Sequence, residues 1–270
     1  MNRVSEPVPL AVKSYGDSGM AVVFLHGLLG SSRNWRHIAG MMADRYRVFV
    51  PDLRNHGESP RTGAFGFEDL ADDVAAWISS NLYGEPVTLV GHSLGGKAAM
   101  KLAVISPELV ERLVVVDITS EAAPRRWGPV FEAMSSLDLS TLKNRGDAEA
   151  HFEKAGFSDW AMRKFLAGNL LLDGGKWRWK VGLAALSESA PNFVRAVLNE
   201  GERYDGPTLL LRGKKSGYAP EKDFKAMHAH FPRLEIMTVE NAGHNVHIDT
   251  PQSFVVALES FIRRTDMKTR

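Results

Sequence analysis

Covalent chemistry is within reach of one serine in this sequence. Ser93 stands in GHSLGG, residues 91–96, a G-x-S-x-G arrangement. The β-branched and aliphatic run 87–90 precedes it, and an Ala-, Leu- and Met-rich stretch to Ile105 follows. A serine on a tight turn from strand to helix is lifted above a sheet, at the helix end that favours developing negative charge. Gly91 and Gly95 are required there, because side chains would strike the neighbouring strand and helix. The chemistry this suits is attack on an acyl carbonyl. A hydroxyl is a poor nucleophile at neutral pH until a base takes its proton.

Position selects the base from nine histidines. Residues 234–239 read as the last strand, and Asn241-Ala242-Gly243-His244 follows in a short loop before the final helix. His244 is therefore expected at the same sheet edge as Ser93. His247 is its nearest rival. His92 belongs to the turn itself, where its side chain points away from Ser93. A third group should orient the imidazole, and in strand-turn-helix serine enzymes it falls between serine and histidine in the chain. The usual loop, Arg212-Gly213-Lys214-Lys215-Ser216-Gly217-Tyr218, holds no carboxylate. One strand earlier, Val114-Val115-Val116-Asp117 ends a buried run in an acid. A carboxylate there is costly without a partner. Asp117 is the expected acid. Phe24-Leu25-His26-Gly27-Leu28 runs from a strand into a glycine loop, which predicts an oxyanion hole made by the backbone N–H groups of Leu28 and Leu94. His26 is read as a prop for that loop.

These residues need a scaffold, and the hydropathy pattern supplies one. Short apolar runs at 20–25, 47–50, 87–90, 113–116, 208–211 and 234–239 are continuous rather than alternating, as in strands buried on both faces. Helical patterns lie between them, at 67–82, 94–105 and 251–262. The alternation predicts an α/β fold with a mostly parallel sheet. From about 120 to 203 no convincing strand appears. Helical pieces there carry Trp127, Trp160, Trp177 and Trp179, separated by Pro124, Gly146, Gly156 and Gly174-Gly175. The reading is a core formed by 1–119 and 204–270, with a helical insert at 120–203. The tryptophans either pack that insert or line a pocket beneath it.

Composition narrows the function. With 33 Lys plus Arg against 32 Asp plus Glu, the net charge is +1, which argues against nucleic acid as the main partner. Cysteine is absent, so thiolate nucleophiles and zinc-thiolate sites are excluded. No apolar run approaches the ~20 residues of a membrane helix. The first residues show no signal-peptide pattern, so a cytoplasmic protein is expected. Asp52, His56 and Glu58 in PDLRNHGESP lack the spacing of a metal motif and suggest a hydrogen-bonded loop. No metal and no cofactor is expected.

Together HGLLG, DLRNHGESP, GHSLGGKAAM, VVVDIT and NAGHNVH resemble an α/β-hydrolase over nearly the whole chain outside the insert. The combination of Arg54-Asn55-His56-Gly57, GHSLGGK and VVDI is similar to a small acyl-esterase subfamily that groups bacterial esterases and thioesterases with mitochondrial abhydrolase-domain proteins. The resemblance implies an α/β-hydrolase fold, a mostly parallel central sheet flanked by helices, with a helical cap inserted after the sixth strand. It also implies that the acid stands at the end of the strand after the nucleophile helix, where Asp117 is. The loop after VVVDIT departs from the subfamily's usual Ser-Pro and reads Ser120-Glu121-Ala122-Ala123-Pro124, so pocket shape is expected to differ. The expected activity is hydrolysis of a small-molecule carboxylic ester of small to medium acyl groups through an acyl-enzyme. Two alternatives stay open. One is an acyl-CoA thioesterase, whose phosphates would meet Arg125, Arg126, Arg163, Lys164, Lys176, Arg178 or Lys180. The other is a ligand receptor with little turnover.

Overall fold

A computed structural model describes residues 6–123 and 127–266. In chain order it forms strands β1 (Val12–Tyr15), β2 (Ala21–Leu25), β3 (Arg47–Pro51), β4 (Val87–His92), β5 (Val110–Val116), β6 (Leu170–Asp173), β7 (Lys176–Trp179), β8 (Thr208–Gly213) and β9 (Leu234–Val239). The helices are α1 (Arg36–Met42), α2 (Phe67–Asn81), α3 (Leu94–Ile105), α4 (Gly128–Ser135), α5 (Arg145–Lys154), α6 (Trp160–Ala167), α7 (Leu183–Phe193), α8 (Phe224–His230), α9 (Val246–Asp249) and α10 (Pro251–Asp266). Seven strands make one sheet in the order β1-β3-β2-β4-β5-β8-β9. β1 is antiparallel to β3, and every other neighbouring pair is parallel.

The continuous apolar runs have a direct cause. Successive side chains on a strand point to opposite faces, and here both faces are covered. Val23, Leu25, Leu89, Leu113, Val115 and Leu210 pack toward α2, α3 and α8. Val22, Phe24, Val48, Val90, Val114 and Leu211 pack toward α1 and α10. Parallel strands joined by helices leave all their C-terminal ends at one edge, where loops gather. β2, β4, β5, β8 and β9 thus deliver His26-Gly27, Ser93, Asp117, Ser216 and His244 to that edge.

Three features depart from the sequence expectations. β1 and α1 were not anticipated: Val12-Lys13-Ser14-Tyr15 is a half-polar edge strand, and α1 is a short helix. The insert contains a hairpin, β6 and β7, where no strand was expected; Gly174 and Gly175 form its turn, both at positive φ (54° and 78°). The insert also follows the fifth strand of the chain rather than a sixth, because a single strand, β1, precedes β2. Of the residues named for the insert, Pro124, Arg125 and Arg126 lie outside the described residues. Among the described residues no helix is long and apolar enough to cross a membrane.

Candidate active site

β4 passes directly into α3 through Ser93, whose backbone sits at φ 52°, ψ −114°. A non-glycine residue there is strained, and such strain needs surrounding structure to hold it. The glycines provide it. A Cβ on Gly91 would lie 2.2 Å from the Gly95 carbonyl oxygen, and one on Gly95 would lie 2.6 Å from the carbonyls of Leu25 and His26. The strand, the turn and the helix therefore approach more closely than any side chain allows. Ser93 N–H donates to the Val116 carbonyl (3.2 Å), and Lys97 N–H closes the first helical turn on the Ser93 carbonyl (3.0 Å).

Asp117 follows the β5 residue paired with His92 and is fully buried. Its φ is also positive, at 52°. Burying a carboxylate demands partners, and three donors meet it. Gly213 N–H donates to Oδ1 (2.9 Å), while the Ser216 hydroxyl and His244 Nδ1–H (2.7 Å) both donate to Oδ2. The end of β8 and the acid-free start of the loop after it thus supply a backbone amide and a hydroxyl to an acid from the neighbouring strand.

That bond fixes the imidazole of His244, which keeps 25% of its surface exposed. With Nδ1–H on Asp117, Nε2 is left as the ring's acceptor. The Tyr218 ring stacks on it, centroids 3.9 Å apart and planes 21° apart. Behind it, His92 Nε2–H donates to the His244 carbonyl (2.9 Å). Burial holds the His92 ring well below the usual imidazole range, with His244 and His247 adding to the effect. The rival His247 is turned into the core. It stacks on Trp35 at 4.0 Å, and burial pushes its pKa down to about 3.

The glycine loop after β2 lies against the serine: a Cβ on Gly27 would sit 3.4 Å from Ser93 Cβ. Two buried histidines hold the loop. Leu53 N–H donates to His26 Nε2 (3.0 Å), and Leu29 N–H donates to His56 Nε2 (3.2 Å). Each ring donates its Nδ1–H to a carbonyl, His26 to Gly27 (2.8 Å) and His56 to Arg54 (2.9 Å). Burial keeps both neutral by lowering their pKa values. Asp52 and Glu58 are occupied likewise. Asp52 accepts from the amides of Ser32 (2.5 Å) and Glu58 (2.8 Å), and Glu58 pairs with Lys13 (2.9 Å). Asn55, at φ 63°, ties the loop to the insert, its carbonyl accepting from Gly182 N–H (2.8 Å).

A narrow crevice opens at Ser93. Leu28, Ile118 and Tyr218 line it from the sheet edge, Ala123, Trp127 and Phe193 from the insert, and Leu94 and Lys97 from α3. Of the insert's tryptophans only Trp127 lines this crevice. Trp177 and Trp179 pack against the core, and Trp160 is exposed beneath Lys164. A wider, basic cleft is walled by Arg33, Arg36, Arg61, Arg178 and Lys180 and shares none of the described residues with the crevice. The sequence reading named Ser93, Asp117, His244, Leu28 and Leu94. It missed Ser216 and Tyr218, which act through loop conformation, and it assigned no role to Lys97. An alcohol on a strained turn and an imidazole braced by a buried carboxylate are equipment for acyl transfer.

Comparison with known proteins agrees with this architecture. A family model described as alpha/beta hydrolase fold matches residues 20–251. The chain is 37% identical over 265 residues to a mouse protein named sn-1-specific diacylglycerol lipase ABHD11, covering 95% of this chain and 86% of that one. It is 26% identical to Esterase YbfF of Escherichia coli, covering 89% of this chain and 92% of the relative. Among solved structures, a marine microorganism esterase superposes with a TM-score of 0.89 at 30% identity, covering 94% of this chain and 99% of that one.

Proposed function

The chain belongs to the α/β-hydrolase family, in its esterase branch, and is a carboxylic ester hydrolase; from that premise we propose that it cleaves small to medium acyl esters through an acyl-enzyme on Ser93. One observation carries the reading: the buried Asp117 carboxylate grips Nδ1 of His244 at the sheet edge where the strained turn presents Ser93. Ser93 Oγ attacks the acyl carbonyl as His244 Nε2 takes its proton. Asp117 stays ionised, holds the ring in its Nδ1–H tautomer and stabilises the imidazolium. The tetrahedral oxyanion is met by the amides of Leu28 and Leu94. In that loop the Leu29 and Gly30 amides are engaged by His56 and Gly27, and the Leu28 amide, beside the crevice, is the one assigned to the oxyanion. The imidazolium protonates the leaving alcohol, and the acyl group remains on Ser93. Water then attacks the acyl-enzyme, again giving a proton to His244, and the acid and free Ser93 are released.

Residues 120–203 act as a cap in this reading, since Ala123, Trp127 and Phe193 wall the acyl crevice. The crevice is narrow and its described lining, apart from Ser93, Lys97 and the polar atoms of Trp127 and Tyr218, is apolar, which suits short and medium alkyl chains. The test is a panel of p-nitrophenyl esters from acetate to laurate. Wild type should prefer the shorter members, and Ser93→Ala should lose hydrolysis with an unchanged fold. Retained hydrolysis in Ser93→Ala removes the serine from the mechanism.

The basic cleft favours a second reading, a thioester whose carrier bears phosphates. Arg178 and Lys180 line it, and the positive charges of Arg33 and Arg145 help lower the Lys180 pKa after burial. Matched ester and acyl-CoA substrates in competition separate the two.

A further inference from the structure

Lys97 is buried in the wall of the crevice, one turn after Ser93 on the same helix. Among the described residues no carboxylate is bonded to its ammonium. It donates instead to two backbone carbonyls, those of Glu121 (2.7 Å) and Arg195, and stands over the Phe67 ring, 5.5 Å from its centre. The positions of those carbonyls matter. Glu121 is where the chain enters the insert, and Arg195 follows the insert's last helix, α7, on the stretch that leads back to the core. The two stems also hold each other: Ala123 N–H donates to the Val194 carbonyl (3.0 Å) and Val197 N–H to the Ser120 carbonyl (2.8 Å). The crevice walls from the insert, Ala123, Trp127 and Phe193, are on or beside these stems.

A buried cation is an expensive way to fill space. Desolvation brings its pKa down to about 8, only partly opposed by the charges of Glu121 and Asp223. A methionine of similar length would fill the volume without that cost. What the ammonium adds is several donors on one atom, enough to bind both stems at once to the helix that begins at the nucleophile.

We propose that Lys97 is a positioning residue that fixes the acyl crevice, by fastening both stems of the insert to the nucleophile helix. The proposal rests on the reading of this crevice as the acyl site. It separates the crevice from the Ser93 chemistry: the turn and its hydrogen bonds belong to the core, whereas the walls over it hang from the neck that Lys97 holds.

The experiment compares wild type with Lys97→Met and Lys97→Gln, the latter keeping two donors on a shorter chain. In Lys97→Met, KM for butyrate and octanoate p-nitrophenyl esters should rise about tenfold, while kcat for the acetate changes by less than about threefold. Lys97→Gln should recover part of the loss. Hydrogen exchange, read without substrate, should be at least about tenfold faster at the Ala123 and Val197 amides of Lys97→Met. A folded Lys97→Met with wild-type KM values and chain-length profile overturns the proposal. So does a fall in kcat that is the same for acetate and octanoate, which would place the effect at the turn. If Lys97→Met does not fold, Lys97→Gln carries the same comparison. If wild type itself hydrolyses none of the esters, the functional reading fails, while unchanged exchange at the two stem amides independently overturns the fastening.

Discussion

Replacing Asp117 by asparagine is the sharpest perturbation this site offers, because its two carboxylate oxygens have different obligations. Oδ1 receives a backbone amide, Gly213 N–H, which cannot turn. Oδ2 receives the Ser216 hydroxyl, which can rotate to accept, and His244 Nδ1–H. The asparagine must place its NH₂ at one of these positions. Facing Gly213, it sets its NH₂ against that amide's N–H, donor against donor, in a buried site, at a cost of ~1–3 kcal/mol. Facing His244, it costs less, since Ser216 reverses its role and the imidazole moves its proton to Nε2. That second arrangement dominates, and it disables the base, because Nε2 then has no lone pair for the Ser93 proton. The charge that stabilises the imidazolium is lost as well. In the triad template this change lowers turnover by about 10⁴, equivalent to roughly 5.5 kcal/mol on the barrier. The expected result for Asp117→Asn is a kcat on p-nitrophenyl butyrate reduced by about 10³–10⁴ with KM nearly unchanged. Ser216→Ala is the control: it removes one donor but leaves the tautomer intact, and should cost about tenfold. Asp117→Asn within tenfold of wild type refutes the assignment of the acid.

Two further perturbations test the scaffold. Gly95→Ala places a methyl group 2.6 Å from the Leu25 and His26 carbonyls, so it should lower stability by ~1–3 kcal/mol, read as a lower denaturation midpoint; an unchanged midpoint shows that the strand and helix can part cheaply. The buried histidines make a pH prediction. His26, His56, His92 and His247 are all held below the ordinary imidazole value of 6.5, His247 at about 3. The unfolded chain therefore binds protons that the folded chain refuses. Stability is full above pH 6.5 and falls as pH drops from there toward 3, each histidine contributing as much as about 1.4 kcal/mol per pH unit. Urea midpoints at pH 7, 6 and 5 should fall steeply, and less steeply in His247→Phe. A flat series would mean that these rings protonate in place.

Much of this site was legible because its determinants are local. GHSLGG requires glycine on both sides of Ser93, and the strand run ending in Asp117 signals a buried acid by its cost alone. His244 followed from being in the loop after the last strand. What escaped was set by tertiary partners. Ser216 is an ordinary loop serine until the β8 loop is folded over Asp117. Lys97 receives no role from the sequence, because its partners are carbonyls, which sequence does not distinguish. β1 has too few apolar residues to announce a strand, and Gly174-Gly175, read as a separator between helices, is the turn of a hairpin whose strands are only four residues each. The order of strands, in which Asp117 and the β8 loop become neighbours, is likewise a property of the sheet and not of any segment.

Exposure to a fluorophosphonate ester, followed by intact-mass and peptide analysis, interrogates the reactive centre without assuming a substrate. A single phosphonylated residue, Ser93, is predicted, with labelling absent in Ser93→Ala and slowed by orders of magnitude in His244→Ala. Rapid labelling of His244→Ala at the wild-type rate, or an adduct on any residue but Ser93, would contradict the account.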